Sequence, residues 1–157
     1  MPDDAAFMRR AIALADASVA VLEGGPFGAV IVCDGRIVGE GANRVTSDHD
    51  PTAHAEVVAI RDACRTLSTF SLEGCVIYTS CEPCPMCLAA IYWARLSRIV
   101  FGNTREDAAR IGFDDDLIYR EVALTMAERS IPARRLLAGE AIATFETWNR
   151  TTGRIPY

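Results

Sequence analysis

The chain has 157 residues, half of them hydrophobic, which is enough for one domain whose core needs no cross-link. All sixteen basic residues are arginine, so a Schiff-base lysine and a P-loop lysine are excluded, and a net charge of −5 argues against a nucleic-acid partner. No basic-then-apolar leader opens the chain and no apolar run is long enough to span a membrane, so the six cysteines are expected as reduced thiols in the cytoplasm.

In chain order, the opening stretch puts Phe7, Ala11, Leu14, Ala15 and Leu22 on one helical face, with Asp3 or Asp4 as cap and Gly24-Gly25 as stop. Residues 27–41 read as a hairpin turning on Asp34-Gly35, followed by a polar loop from Asn43 to Asp50. Asp50 as N-cap and Pro51 as first residue then open a helix running to Cys64. Residues 75–80 form a buried strand, residues 83–96 a proline-led apolar helix, and residues 98–103 another strand. GFDDDLIYREV suggests a loop and a short helix, residues 133–138 a last strand, and residues 139–149 a C-terminal helix. Alternating strands and helices predict an α/β fold with a partly parallel central sheet covered on both faces.

The stretch TSCEPCPMC holds Cys81, Cys84 and Cys87 at equal spacing. A ferredoxin-type cluster would need a further cysteine where Ile91 stands. The chain has two histidines: His49 lies in a polar loop, and His54 lies in the first turn of a predicted helix with Glu56 two residues on. Cys84 and Cys87 share one face of another first turn, so their thiols and the imidazole project beyond two helix N-termini. The partial positive charge of those ends favours thiolates. One imidazole and two thiolates suit zinc, and three protein ligands leave a fourth position to water, as in a catalytic site. If Cys81 also bound, the site would be closed and structural, and Glu56 would have no task. The reading adopted is His54, Cys84 and Cys87 as ligands, one Zn2+ per subunit, and Cys81 as a packed thiol.

His54-Ala55-Glu56 followed by Pro83-Cys84-Pro85-Met86-Cys87 resembles the H-x-E…P-C-x-x-C signature of the zinc-dependent nucleobase deaminases. GGPFGAVIV, Asn43 before DPTAHAEV, AIYWAR, GFDD and a terminal tyrosine resemble the bacterial guanine deaminases within that family over nearly the whole chain. The resemblance implies a cytidine-deaminase-like, three-layer α/β/α sandwich around a mixed five-stranded sheet, and a single deaminase domain. It implies hydrolysis of guanine to xanthine and ammonia with Glu56 as proton shuttle. It also implies a homodimer in which residues from about 140 to 157 are swapped between subunits. Substrate contacts carried over are Phe27, Asn43, Ala55, Asp115 and, from the other subunit, Tyr157. Asp115 also carries a catalytic role, with Asp114 and Asp116 beside it. By residue type alone, Phe27 and Trp93 read as core aromatics, Asn43 as a turn residue and the acidic run as surface. Guanosine, cytosine, an aminated triazine and tRNA adenosine are the rival substrates, and a structural zinc module is the non-enzymatic alternative.

Overall fold

The computed structural model describes residues 4–157 and divides into two units, one ending at Asp115 and the other spanning Asp116–Tyr157. In the first unit, Asp34 and Gly35 both take positive φ (50° and 73°), the turn that an Asp-Gly pair favours. It folds β1 (Gly28–Cys33) back onto β2 (Arg36–Ala42), as expected. On its other side β1 pairs antiparallel with β3 (Val76–Cys81), which pairs in parallel with β4 (Arg98–Asn103). The sheet order is β2-β1-β3-β4.

Successive strand residues point to opposite faces, and that alternation sorts the core into two halves. Ala29, Ile31 and Ile77 pack with Ala55, Ala59 and Ala63 of α2 (Ala55–Leu67) and Ile91 of α3 (Pro85–Trp93). Val30, Val32 and Tyr78 pack on the other face with Phe7, Met8 and Leu14 of α1 (Asp4–Ala20). Helices therefore cover both faces of the sheet. The Tyr78 hydroxyl donates to Asp4 at 2.7 Å and Arg98 donates to the same carboxylate, tying α1 to β3 and β4.

Helix α2 lies unusually close to β2 because β2 offers it glycine. A Cβ at Gly41 would stand 2.2 Å from the Ala55 carbonyl oxygen and 2.5 Å from the Ala59 nitrogen, both backbone atoms that cannot swing aside. The absence of that carbon sets where the first turn of α2, with Glu56, meets the sheet. Gly41→Ala is expected to cost about 3 kcal/mol and to lower turnover in the same variant. Thermal denaturation beside an activity assay checks both.

Several expectations need correction. The sheet has four strands, not five: residues 133–137 are irregular and pair with no strand among the described residues. A strand needs a ladder partner as well as β-formers, and Arg134-Arg135 break the apolar run there. Helix α1 stops at Ala20, so Leu22 sits past it with φ 57° and is 86% exposed. Asp3 lies outside the described residues. Asp50 does not cap α2. Its carboxylate accepts from the Thr52 amide (2.8 Å) and hydroxyl (2.7 Å), closing a local turn that holds Pro51 and delaying the helix to Ala55. The thiols are not all reduced, since Cys33 and Cys75 form a disulfide.

The remaining helix of the first unit is α4 (Arg105–Arg110), opened by a reciprocal capping box between Thr104 and Asp107. The second unit holds α5 (Asp116–Ala123) and α6 (Ala138–Arg150). No helix among the described residues is long and apolar enough to cross a membrane.

Candidate metal centre and active site

Both ligand-bearing helices begin on a ligand. His54 is the N-cap of α2 and Cys84 the N-cap of α3, with Pro85 behind it, and neither side chain makes a capping hydrogen bond. Freed from capping, imidazole and thiol turn toward each other. His54 Nδ1 lies 3.6 Å from Cys84 Sγ and 3.5 Å from Cys87 Sγ, and the three ligand atoms all lie within 4.8 Å of one another. Zinc–sulfur and zinc–nitrogen bonds of ordinary length at a tetrahedral angle would separate the N and S atoms by about 3.6 Å. The donor set and its spacing thus fit zinc, and they are the three residues expected from sequence.

Cys81 is not among them. Its Sγ donates to the Thr104 carbonyl at 3.6 Å, and burial pushes its pKa up to about 11. A thiol so firmly protonated, with a partner of its own, fills space and is no ligand. Cys81→Ser is therefore expected to retain one zinc per chain and measurable turnover. Metal analysis and ligand counting by X-ray absorption check this.

The ligand thiols behave oppositely. The Cys84 thiolate accepts a hydrogen bond from Cys87, and His54 adds another, which together hold Cys84 down at about 4. Cys87, giving that bond and deeply buried, is pushed far up. The two share one proton in the metal-free protein. The bond to Cys84 raises His54 despite its burial. The S–H of Cys87 is within reach of a second acceptor, Glu56 Oε2, 3.4 Å from Cys87 Sγ. Glu56 is only 6% exposed, and burial is the main reason its pKa is raised. A buried carboxyl one contact away from a metal ligand, and not itself in the ligand group, is suited to holding and releasing a proton.

Asn43 is buried beside this centre's scaffold. Its Oδ1 accepts from the Gly25 amide (3.1 Å) and the Val45 amide (3.2 Å), which fixes the amide orientation and leaves the NH2 as a donor. A Cβ at Gly24 would stand 2.2 Å from the Asn43 carbonyl oxygen, so Gly24 serves this close packing and does not stop α1, which ends at Ala20. Phe27 meets Phe113 edge to face, centroids 4.9 Å apart. Phe27 and Cys81 also line a cavity of ≈ 230 Å³ with Pro26, Asn103, Asp107, Ala108 and Ile111. Among the three consecutive acids, Asp115 is half-buried while Asp114 and Asp116 are exposed. Burial raises Asp115, and the negative Cys84 adds to the shift, which puts it within electrostatic reach of the centre.

Residues 1–103 match the cytidine and deoxycytidylate deaminase zinc-binding region. The chain belongs to this deaminase family. It is 49% identical to guanine deaminase of Bacillus subtilis over 151 residues, 96% of this chain and 97% of that protein. The solved structure of that enzyme superposes with a TM-score of 0.94 over 97% of each chain. The tRNA-specific adenosine deaminase of Haemophilus influenzae is 42% identical over 118 residues, 71% of this chain and 68% of that one. A solved mutant protein in complex with 8-azaguanine is 33% identical, with a TM-score of 0.68 over 71% of this chain and 64% of its own.

The matched zinc-binding region contains His54, Glu56, Cys84 and Cys87. Ala55, fully buried, starts α2 between two of them. Trp93, read from sequence as a core aromatic, instead ends α3 and is 67% exposed, and it does not line the cavity. Tyr157 is an exposed residue at the end of the second unit. Asn103, Asp107, Phe113 and Ile111 were not singled out from sequence. One signal existed for Asn103: it pairs with Cys81 at the carboxyl ends of the parallel strands β3 and β4, where α/β sheets gather ligands.

Proposed function

We propose that this protein hydrolyses guanine to xanthine and ammonia at the His54–Cys84–Cys87 centre, with one zinc ion per chain. The observation that carries hydrolytic deamination is the buried Glu56 carboxyl, held against a three-ligand group that fits zinc. Similarity to a guanine deaminase along almost the whole of both chains supports guanine over other bases. A related solved protein holding a guanine analogue adds to it.

Zinc, when bound, supplies Lewis acidity that brings the ionisation of water toward neutral pH. Glu56 takes the proton of the attacking water. Its raised affinity for protons lets it keep that proton until the ring nitrogen next to C2, and then the departing amine, needs it. Asn43, locked as a donor, faces an acceptor on the base. Such a residue favours a carbonyl-bearing purine over one presenting an amino group at that edge. Phe27 flanks the ring, Ala55 gives a small backbone-lined contact, and Asp115 accepts from the base N–H groups.

The second unit has no buried residue, yet exposes Leu117, Ile118, Val122, Phe145 and Trp148. So small a segment cannot stand alone with that surface in water. This supports a homodimer in which the C-terminal segment packs on the other subunit and Tyr157 closes the other subunit's pocket. Deleting residues 153–157 is then expected to lower turnover at least tenfold with a melting temperature nearly unchanged; equal activity would make Tyr157 an ordinary terminus.

The match to tRNA-specific adenosine deaminases favours a second reading, tRNA adenosine. A net charge of −5 weighs against it, as does the shorter match. We assign the reaction to the cytoplasm, on a free small-molecule purine. The decisive assay offers guanine, guanosine, adenine, cytosine, ammeline and tRNA to zinc-loaded protein and follows ammonia. Release from guanine at rates well above all others is the expected result. Salt-sensitive turnover of tRNA instead would overturn the reading.

A further inference from the structure

We propose that Cys33 and Cys75 form a reversible redox staple that clamps the scaffold of the active site, set by small-molecule disulfides of the glutathione class. The pairing follows from register. In the antiparallel ladder of β1 and β3, Val32 stands opposite Val76, so the next position outward sets Cys33 opposite Cys75. Their Cα atoms are 4.5 Å apart, within the span a disulfide bridges.

The location gives the bond its meaning. Strand β1 runs from Gly28, next to Phe27, to Cys33, and β3 runs the opposite way, from Val76 to Cys81. Both strands thus carry site residues at one end and the cysteine pair at the other, on the order of 17 Å away for a strand of this length. The bond can open and close without disturbing His54, Cys84 or Cys87, and the thiols of Cys84 and Cys87 are too distant to enter the exchange. Residues 33 and 75 are 42 positions apart, and the segment they close contains β2 and α2, hence Asn43, His54 and Glu56. Oxidation therefore ties the half of the site carrying the imidazole and the shuttle carboxyl to the strand leading to the other half.

Access is one-sided. Cys33 is half-buried while Cys75 is 3% exposed, so Cys33 is the point of entry. Its thiolate attacks one sulfur of the small disulfide, releasing one thiol and leaving a mixed disulfide. The Cys75 thiolate then attacks Cys33 Sγ and displaces the second thiol. Two cysteine S–H bonds and one small-molecule S–S bond are consumed, and one protein S–S bond and two small-molecule thiols form. The two electrons lost by the protein reduce the small disulfide. An excess of thiol runs the sequence backwards.

The test uses zinc-loaded full-length protein equilibrated with oxidised glutathione, then denatured and alkylated. Four of the six cysteines are expected to be labelled without reductant and all six after phosphine reduction, with Cys33 and Cys75 in one cross-linked peptide. Closing a loop of this size predicts that phosphine lowers the melting temperature of the oxidised protein by about 10 °C. Zinc content and turnover at 25 °C should be retained within twofold. In the Cys33→Ala/Cys75→Ala variant the melting temperature should not respond to phosphine. Should that variant fail to fold, the wild-type comparison alone decides. Six labelled cysteines before reduction would overturn the proposal, as would a lasting glutathione adduct on Cys33 or an unchanged melting temperature. None of these outcomes depends on which base is deaminated.

Discussion

Glu56→Ala is expected to bind one zinc per chain and to release ammonia from guanine at least about a hundredfold, and up to ten-thousandfold, more slowly than the parent protein. The reason lies in what Glu56 touches. It sits one contact beyond the metal ligands, within reach of the Cys87 S–H, so removing it deletes a proton carrier without deleting a ligand. Metal analysis and steady-state kinetics on the same preparation separate the two roles. Near-normal kcat, or loss of zinc, would sink the assignment. Burial adds a second signature. A carboxyl whose pKa is raised on folding favours the folded state least when ionised, so its cost appears as pH rises above the ordinary value of 4.5. Metal-free Glu56→Gln should therefore be more stable than the metal-free parent at pH 7, and the difference should vanish below pH 4.5. Paired melting curves at the two pH values test that sign.

Cys84→Ser is expected to lose zinc on dialysis against a weak chelator and to lose turnover with it, and His54→Ala should do the same. The wild-type site starts with Cys84 already a thiolate at neutral pH, while Cys87 must give up its proton when metal enters, and the raised affinity of His54 for protons acts in the same direction. Zinc affinity should therefore climb with pH from 6 to 8. Metal that binds only the folded chain stabilises it by about 4 kcal/mol at a thousandfold excess over Kd. Chelation should accordingly lower the melting temperature of the parent and leave that of Cys84→Ser unmoved. A variant that keeps both metal and activity would return Cys84 to the packed thiols.

What could be read from sequence was local. The hairpin at Asp34-Gly35 and Pro85 at the start of α3 are properties of a few neighbouring residues, and they stand in the structure, whereas Pro51 sits in a turn before α2. The His54–Cys84–Cys87 group could be picked out because residue type and helix-start position coincide twice, at His54 and at Cys84, and the structure brings the three together. Errors came where the decisive partner is distant or where two local rules compete. Asp50 had a choice between capping a helix and closing a turn, and the nearer amide of Thr52 won. Residues 133–138, Ala-Arg-Arg-Leu-Leu-Ala, carry no β-branched or aromatic strand former and find no ladder partner among the described residues, and Ala138 already belongs to α6, so reading a last strand there overcounted the sheet. The Cys33–Cys75 bond depends on a ladder register across 42 positions, which no spacing rule reveals. Asn103 and Asp107 line the cavity through the same non-local folding.

The two helices that begin on His54 and Cys84, the proposed zinc ligands, begin without a side-chain capping bond. In each, the residue that would otherwise hold the first free amides would be lent to a shared guest once zinc binds. Their first turns should consequently loosen or hold together: withdrawing the ion ought to speed amide exchange over residues 56–58 and 86–88 in step, though thirty positions of chain lie between them. A catalytic ion would then be the hinge pin of both walls, and an empty protein would lose its shape for guanine before it lost its fold.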